Sequence, residues 1–332
     1  MENVKLRDIA EAVGVSTVTV SNALSGKKGV SGQMRDHIES VARQMGYDMS
    51  RYETKSQGVM IGVLVSADYF EVGNSFYWAL YQQVVQAAAK AGSMTTLEII
   101  DDTNRSHLPK PRILENHLCD ALIIIGYLFE PYVRQIVEHA QVPVVLLDFQ
   151  VRGLACDCVM SANYVGMYKV TRYLLERGHR RIAFVGSIYA NENIMDRYFG
   201  FRKAMEEYEI PVHKGWRLED RDLVNHCMNV TLPDEMPTAF AASGDLAAQF
   251  TFEALQKKGI RVPDDVSLIS YDNYLPWNDL SHHLTTYNVD LAAMAEMAVR
   301  RVLGKVHGEE THYGIRYVPG KIVVRDSVKA LS

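Results

Sequence analysis

The densest chemical signal in the chain is the stretch VSTVTVSNALSG at 15–26. It has the form of the second helix of a helix-turn-helix, whose first turns present side chains to base edges in a major groove. Thr17 and Ser21, and likewise Val18 and Asn22, are four residues apart, which puts all four on one outward face. Asn22 offers adenine a donor and an acceptor together, Val18 and the Thr17 methyl suit thymine methyls, and the Ser16 and Ser21 hydroxyls suit phosphates. Val20 and Leu24 point the other way, toward a core. A helical hairpin of this size also serves protein contacts, so the pattern alone leaves both uses open.

Catalytic signals are weak by contrast. The chain has no G-x-S-x-G, H-E-x-x-H or Gly-Lys-Ser/Thr phosphate loop. His179, in RGHRR, precedes an apolar strand and reads as structural. His282 and His283 are adjacent in a loop, and Cys119, Cys156, Cys158 and Cys227 lack the paired spacing of a zinc site. No metal and no cofactor is expected, and the cysteines are expected to be reduced thiols.

The head that carries the reading helix needs two more helices to hold it. Leu6, Ile9, Ala10 and Val13 share one helical face, which Gly14 ends; Ser16 is a natural N-cap for the second helix. Ser31 caps a third, in which Met34, Ile38, Val41, Ala42 and Met45 recur at helical spacing and are expected in a shared core. From residue 60 the texture changes. MIGVLV, TLEII, DALIIIG and VPVVLLD, then RIAFVG, AFAAS and SLISYD, alternate with amphipathic helical stretches. Such continuous apolar strands between helices argue for parallel sheets covered on both faces. Two sets of them argue for two doubly wound subdomains around one cleft, with ligands at the carboxyl ends of the strands.

Composition agrees. The chain has 332 residues, 48% hydrophobic and 23% charged, as in ordinary globular proteins. The net charge of −5 excludes a uniformly basic coat, but residues 1–57 carry +1 and the remainder −6. That is the sign expected of a head that meets phosphate. The first residues lack a secretory apolar core and no apolar run reaches membrane length, so a cytoplasmic protein without membrane contact is expected.

With these motifs in view, the chain resembles the lactose-repressor/galactose-repressor (LacI/GalR) family of bacterial transcription regulators. The head's IAEAVGVSTVTVSNALSG follows the family's D-x-A-x-x-A-G-V-S-x-x-T-V-S-x-x-L-N-G pattern. The body's ERGHRRIAFVG (176–186), RYFGFRKAM (197–205), GIRVPDDVSLISYDN (259–273) and LTTYNVD (284–290) follow in family order. The resemblance implies a helix-turn-helix head at 1–47, a hinge at 48–59, and a core like that of periplasmic sugar-binding proteins. It divides that core into an N-terminal subdomain at 60–161 plus 289–318 and a C-terminal one at 162–288 plus 319–332. It also implies a homodimer on a near-palindromic operator, with Ser16, Thr17, Val18, Ser21, Asn22 and Ser31 at the DNA. No heptad tail follows KIVVRDS, so a dimer and not a tetramer is expected.

The resemblance also fills the cleft. Arg197 matches the position that grips ligand hydroxyls, Asp245 the Asp of the family's N-D-x-x-A, and Asp272 the Asp of its G-F-D-D. Phe76, Tyr127, Phe149 and Trp277 are candidates to stack on a sugar ring, and Asp148 ends a strand beside Phe149. Guanidinium donors facing carboxylate acceptors suit a polyol, whose hydroxyls both donate and accept. Paired carboxylates also suit a glycosidase, but Arg197 is expected to lower the pKa of both, which is wrong for a general acid. The expected protein is therefore a ligand-responsive transcription regulator, most simply a repressor of a carbohydrate-use operon. The rival is a sugar sensor whose head contacts protein.

Four departures stand out. Asn22 replaces the family's usual Arg, and Gly244 replaces the Asn before Asp245. Ala162–Asn163 replaces D-N before a helix, weakening its cap. The linker DMSRYETKSQG lacks the Leu that wedges into the minor groove, which leaves Met49 or Tyr52 as substitutes, or a head that docks without a strong kink.

Overall fold

The computed structural model describes residues 4–24, 30–47, 58–69, 76–101, 108–223, 227–275, 279–309 and 312–331. The chain forms two compact units, Met1–Met60 and Ile61–Ser332.

The first unit is built on three helices, α1 (Leu6–Val13), α2 (Thr17–Leu24) and α3 (Gly32–Gln44). The Asp8 carboxylate accepts the Lys5 main-chain N–H at 2.7 Å to open α1, and Gly14, at φ 74°, closes it. The Ser16 hydroxyl accepts the Thr19 N–H at 3.0 Å, and the Ser31 hydroxyl accepts the Met34 N–H at 3.3 Å. Both serines are thus N-caps that satisfy otherwise orphaned amides. Ile9, Ala10, Val20, Ala23, Leu24, Ile38 and Ala42 are buried together, with Val41 and Met45 packed against them. Met34 departs from expectation: it is exposed. It lies one turn short of Ile38, in the first turn of α3, and takes no place in the shared core.

The second unit contains two lobes. The first runs β1 (Met60–Ser66), α4 (Phe76–Lys90), β2 (Met94–Ile100), α5 (Arg112–Glu115), β3 (Ala121–Ile125), α6 (Glu130–His139), β4 (Val144–Leu147) and β5 (Asp157–Ser161). The chain then crosses through α7 (Asn163–Leu175) into β6 (Ile182–Val185), α8 (Glu192–Glu207), β7 (Arg217–Leu218) and β8 (Ala239–Ala242). There follow α9 (Asp245–Lys257), β9 (Ser267–Asp272), α10 (Asp279–His283) and β10 (Thr285–Asn288). It returns through α11 (Leu291–Val306), which packs on α4 and on β3 to β5. Finally β11 (Ile315–Val318) joins the first sheet and β12 (Lys321–Val323) the second.

Both sheets have six strands, ordered β11-β5-β4-β3-β1-β2 and β12-β10-β9-β8-β6-β7. The described pairings are parallel, as in Ile61 opposite Ala121 and Thr285 opposite Ile269. The exception is β12, antiparallel to β10. The inner strands are fully buried, which explains their continuous apolar sequence. In each sheet the strand order reverses once, between β1 and β3 and between β6 and β8, and such switch points open a crevice at the strand ends.

One glycine sets the geometry of that crevice. A Cβ at Gly200 would lie 2.1 Å from the Tyr164 carbonyl oxygen. Only glycine lets α8 lie this close to α7, and Arg197 stands less than one turn before it. No helix of the described residues is long and apolar enough to cross a membrane.

Candidate functional site

On the head, Val18 and Thr17 are exposed at the start of α2, while Ser21 and Asn22 are half-buried one turn later. Val18 is 66% accessible, an apolar residue with no packing role within the unit. The Ser16 hydroxyl also shares a 2.8 Å hydrogen bond with Thr19 Oγ1. The amino end of α2 therefore combines a fixed cap, a positive helix end and exposed methyl groups, the elements of a groove-reading helix. The linker at 48–57, with Met49 and Tyr52, lies outside the described residues.

In the second unit Arg197 is buried at the β6/β8 switch point. Its Nη1 donates to the Ser243 carbonyl at 2.5 Å and pairs with Asp272 Oδ1 at 3.1 Å, while its Nε donates to Asn163 Oδ1 at 2.8 Å. The guanidinium lies 3.9 Å from the centre of the Tyr271 ring. Four contacts with α7, β9 and the end of β8 fix a planar fork that a lysine could not imitate. Gly244 explains itself here, because a Cβ at that position would sit 2.8 Å from Asp272 Oδ2.

Asp148 faces this group from the first lobe. It ends β4 in the left-handed region at φ 67°, as Asp272 ends β9 at φ 104°. Strained backbone of this kind concentrates where side chains are aimed for a purpose. Asn193 Nδ2 on α8 donates to the Asp148 carbonyl at 2.9 Å and to its carboxylate at 3.2 Å, and Tyr77 on α4 donates to the same carboxylate at 3.3 Å. The lobes also meet through Arg152 and Glu192 at 2.9 Å, through Ser161 and Tyr271 at 2.9 Å, and through the edge-on rings of Phe76 and Tyr274.

Asp245 is held by three protein donors. Its Oδ1 accepts from Ser270 and from Thr286, the latter at 2.8 Å, and its Oδ2 accepts the Tyr274 N–H at 2.5 Å. These bonds tie α9 to β9, β10 and the loop after β9, and the carboxylate also lines a cavity with Asn273, Thr286 and Arg325. The electrostatic expectation is corrected. Burial pushes Asp245 up to about 7, helped by Asp272. Burial likewise pushes Asp148 up to about 7 against the pull of Arg197, and Asp272 is raised by burial despite its ion pair. One guanidinium does not offset desolvation of three carboxylates.

Among the aromatic candidates, Phe149 is buried and Tyr127 is 43% exposed, with ring centres 6.4 Å apart, edge to face. Phe76 is half-buried between Tyr77 and Tyr274. Trp277 lies outside the described residues. Tyr271, Tyr77, Asn163 and Asn193 were not anticipated in the cleft. Asn163 and Asn193 hydrogen-bond each other at 3.0 Å and link Arg197 to Asp148. A signal existed for Asn193, since it stands four residues before Arg197 on the same helical face. As expected, Ala162 gives α7 no side-chain cap. His179 is buried between Thr238 and the Lys329 carbonyl, a structural setting. Among the described residues no cluster of metal-ligating side chains occurs.

Comparison with known proteins gives these features their context. Residues 5–50 match the profile of bacterial regulatory proteins, lacI family, and residues 171–328 match that of the periplasmic binding protein-like domain. A relative from Histophilus somni (strain 129Pt), named HTH-type transcriptional repressor PurR, is 24% identical over 345 residues, covering 98% of this chain and 99% of its own. Among solved structures, a transcriptional regulator CelR–cellobiose complex is 20% identical with a TM-score of 0.66, covering 98% of this chain and 100% of that one. The lac repressor dimer bound to operator and the anti-inducer ONPF is also 20% identical at a TM-score of 0.66, with 99% and 100% covered. These proteins are regulators and not enzymes. With a helix-turn-helix head of the lacI family of bacterial regulatory proteins and a periplasmic binding protein-like core of two switch-point lobes in one chain, the protein is a DNA-binding transcriptional regulator.

Proposed function

We propose that the protein is a ligand-responsive repressor whose cleft takes a sugar or a related polyhydroxylated metabolite, and that it controls a carbohydrate-use operon from the cytoplasm. The observation that carries this reading is Arg197, buried at the switch point and linked through Asn163 and Asn193 to Asp148 of the other lobe. Donor and acceptor groups stand together there, as hydroxyl recognition requires. A ligand seated among Arg197, Asp272, Asp148, Phe76 and Tyr127 changes how the lobes meet. Asp245 borders this floor, and Trp277 is the sequence's further candidate for the ring. The cellobiose in one structural neighbour supports a sugar effector, and the anti-inducer in another supports a small-molecule one.

The head segment 1–47 grips the operator through Thr17, Val18, Ser21 and Asn22, with Ser16 and Ser31 donating their hydroxyl protons to phosphates. The linker 48–59 transmits the lobe arrangement. The subdomains are 60–161 plus 289–318 and 162–288 plus 319–332. The protein acts as a homodimer, as the neighbour described as a repressor dimer on operator DNA does. Effector and operator affinities are then coupled in both directions by about 1–3 kcal/mol.

The test is operator binding by footprinting and titration, with and without a sugar panel. Affinity is expected to fall steeply with salt, since phosphate contacts release counterions. Deleting residues 1–57 is expected to abolish operator binding and to spare ligand binding. A salt-insensitive complex, or no footprint under any metabolite condition, rejects the reading in favour of a protein-contacting sensor.

A further inference from the structure

Asp148 Oδ1 is buried and has no hydrogen-bond partner. The carboxylate is supplied with donors on its other oxygen, from Tyr77 and Asn193; the Ser161 main-chain N–H also bears on the carboxyl, yet Oδ1 makes no well-aligned hydrogen bond. A buried acceptor without a donor is costly and calls for a partner. At the amino end of α8, one residue before Asn193, Glu192 Oε2 is a second buried acceptor without one.

The charges around the cleft point to the kind of partner. Arg197 is matched by Asp272, Arg152 by Glu192, and Arg221 by the buried Asp220. Every one of these guanidiniums already has its own carboxylate, and Arg325, bound to the Leu284 carbonyl and Asn273, lines the cavity beside Asp245; Asp148 is the acid beyond that balance. Asp196, on the same helix as Arg197, has its carboxyl raised by burial and by Glu192. Desolvated carboxylates in excess of cations attract a proton or a positive group.

We propose that the effector carries a basic nitrogen, an ammonium group on a hydroxyl-bearing ring, seated on Asp148. This rests on the reading of the cleft as a polyhydroxyl site and narrows it to amino sugars. The nitrogen supplies the donor that Oδ1 lacks and the positive charge that Asp148 lacks. The hydroxyls are left to Arg197 and Asp272. The groups that face Asp148 are Tyr77 from α4, the Ser161 main-chain N–H from β5, Asn193 and Arg197 from α8, and Asp272 from β9. Of these, Asp272 has its own carboxyl raised by burial against the pull of Arg197. A cationic ligand competes with the proton of Asp148.

The test uses the full chain and matched ligands: glucosamine, galactosamine and mannosamine, each against its neutral parent sugar and its N-acetyl derivative. Melting temperature and operator affinity are read together. At least one free amine is expected to bind about tenfold or more tightly than both neutral counterparts, the size of a charge-assisted hydrogen bond. That preference is expected to grow from about pH 5.5 to about pH 7, as Asp148 loses its proton. Asp148→Asn, which tolerates the left-handed backbone, is expected to remove it. The comparison among ligands on the unaltered protein needs no variant, so a misfolded Asp148→Asn does not decide the matter. Neutral or N-acetyl sugars that bind as well as every amine overturn the proposal. If one of those neutral sugars shifts operator affinity, the sugar-responsive repressor stands without it; if no sugar of any kind does, both fall.

Discussion

Asn193 reaches from the first turn of α8 across the cleft to Asp148, donating one amide to both its carbonyl at 2.9 Å and its carboxylate at 3.2 Å. Four residues on along the helix, Arg197 is locked to Asp272 and Asn163. One helical face thus touches the strand ends of both lobes. A ligand that displaces or completes these bonds changes the lobe contact and the polar network in one event, which is what a two-state regulator needs.

Removing the fork of Arg197 strands its partners. Arg197→Gln leaves the Asp272 carboxylate and the Ser243 carbonyl without their donor in a buried setting. Breaking a buried pair from one side costs about 3–5 kcal/mol. Urea unfolding of the variant is expected to show a loss of that order together with loss of effector response. A variant as stable as the parent contradicts the buried network.

Gly200→Ala tests the close approach of α7 and α8. The added carbon meets the Tyr164 carbonyl oxygen, which is backbone and cannot swing aside. The helices must separate, at about 1–3 kcal/mol for overpacking, and Arg197 moves with α8. Chemical denaturation and ligand titration are both expected to register the change. Unaltered ligand affinity removes Gly200 from the positioning of the cleft.

Much of this was legible in the chain before folding. The apolar strand runs pointed to two parallel sheets, the motifs to Arg197 and Asp272, which pair at 3.1 Å, and a strand end to Asp148. What was not legible depended on partners distant in sequence. The motif around Asp245 gives no hint that Ser270 and Thr286, on two other strands, hydrogen-bond its carboxylate. Asn163 looked only like a lost cap, since its side-chain partners Asn193 and Arg197 lie a helix away. The raised carboxyls were misjudged because sequence shows a neighbouring Arg but not the depth of burial that outweighs it. Met34 followed the helical period but lay beyond the end of the core.

Titration follows from those carboxyls. Asp148 and Asp245 hold their protons up to about 7 in the folded chain, against an ordinary value of 3.8. The folded state therefore binds more protons than the unfolded chain between these limits, and stability falls as pH rises through that window. Their contribution is complete below about pH 4 and gone above about pH 7. Tyr77, the Ser161 N–H, Asn193, Arg197 and Asp272 face the first carboxyl, and Ser270, Thr286, the Tyr274 N–H and Asp272 face the second. Melting temperature followed between about pH 5 and pH 8 is expected to decline less in Asp148→Asn than in the parent. Parallel pH profiles for the two proteins contradict the assignment.

On the head, capping and reading separate cleanly. Ser16→Ala removes the acceptor for the Thr19 N–H and is expected to cost about 1 kcal/mol of head stability. Val18→Ser touches nothing inside the unit and is expected to change stability by less than about 0.5 kcal/mol. On the operator the order reverses in character: loss of an apolar contact to a base edge costs about 1–3 kcal/mol at one base pair and relaxes the preference there. Selection of bound sequences from a random duplex pool, run for the parent and Val18→Ser at the same salt, compares the two directly. If the variant recovers the same sequence with the same affinity, Val18 does not face the bases, and the exposed side of α2 serves some contact other than the major groove.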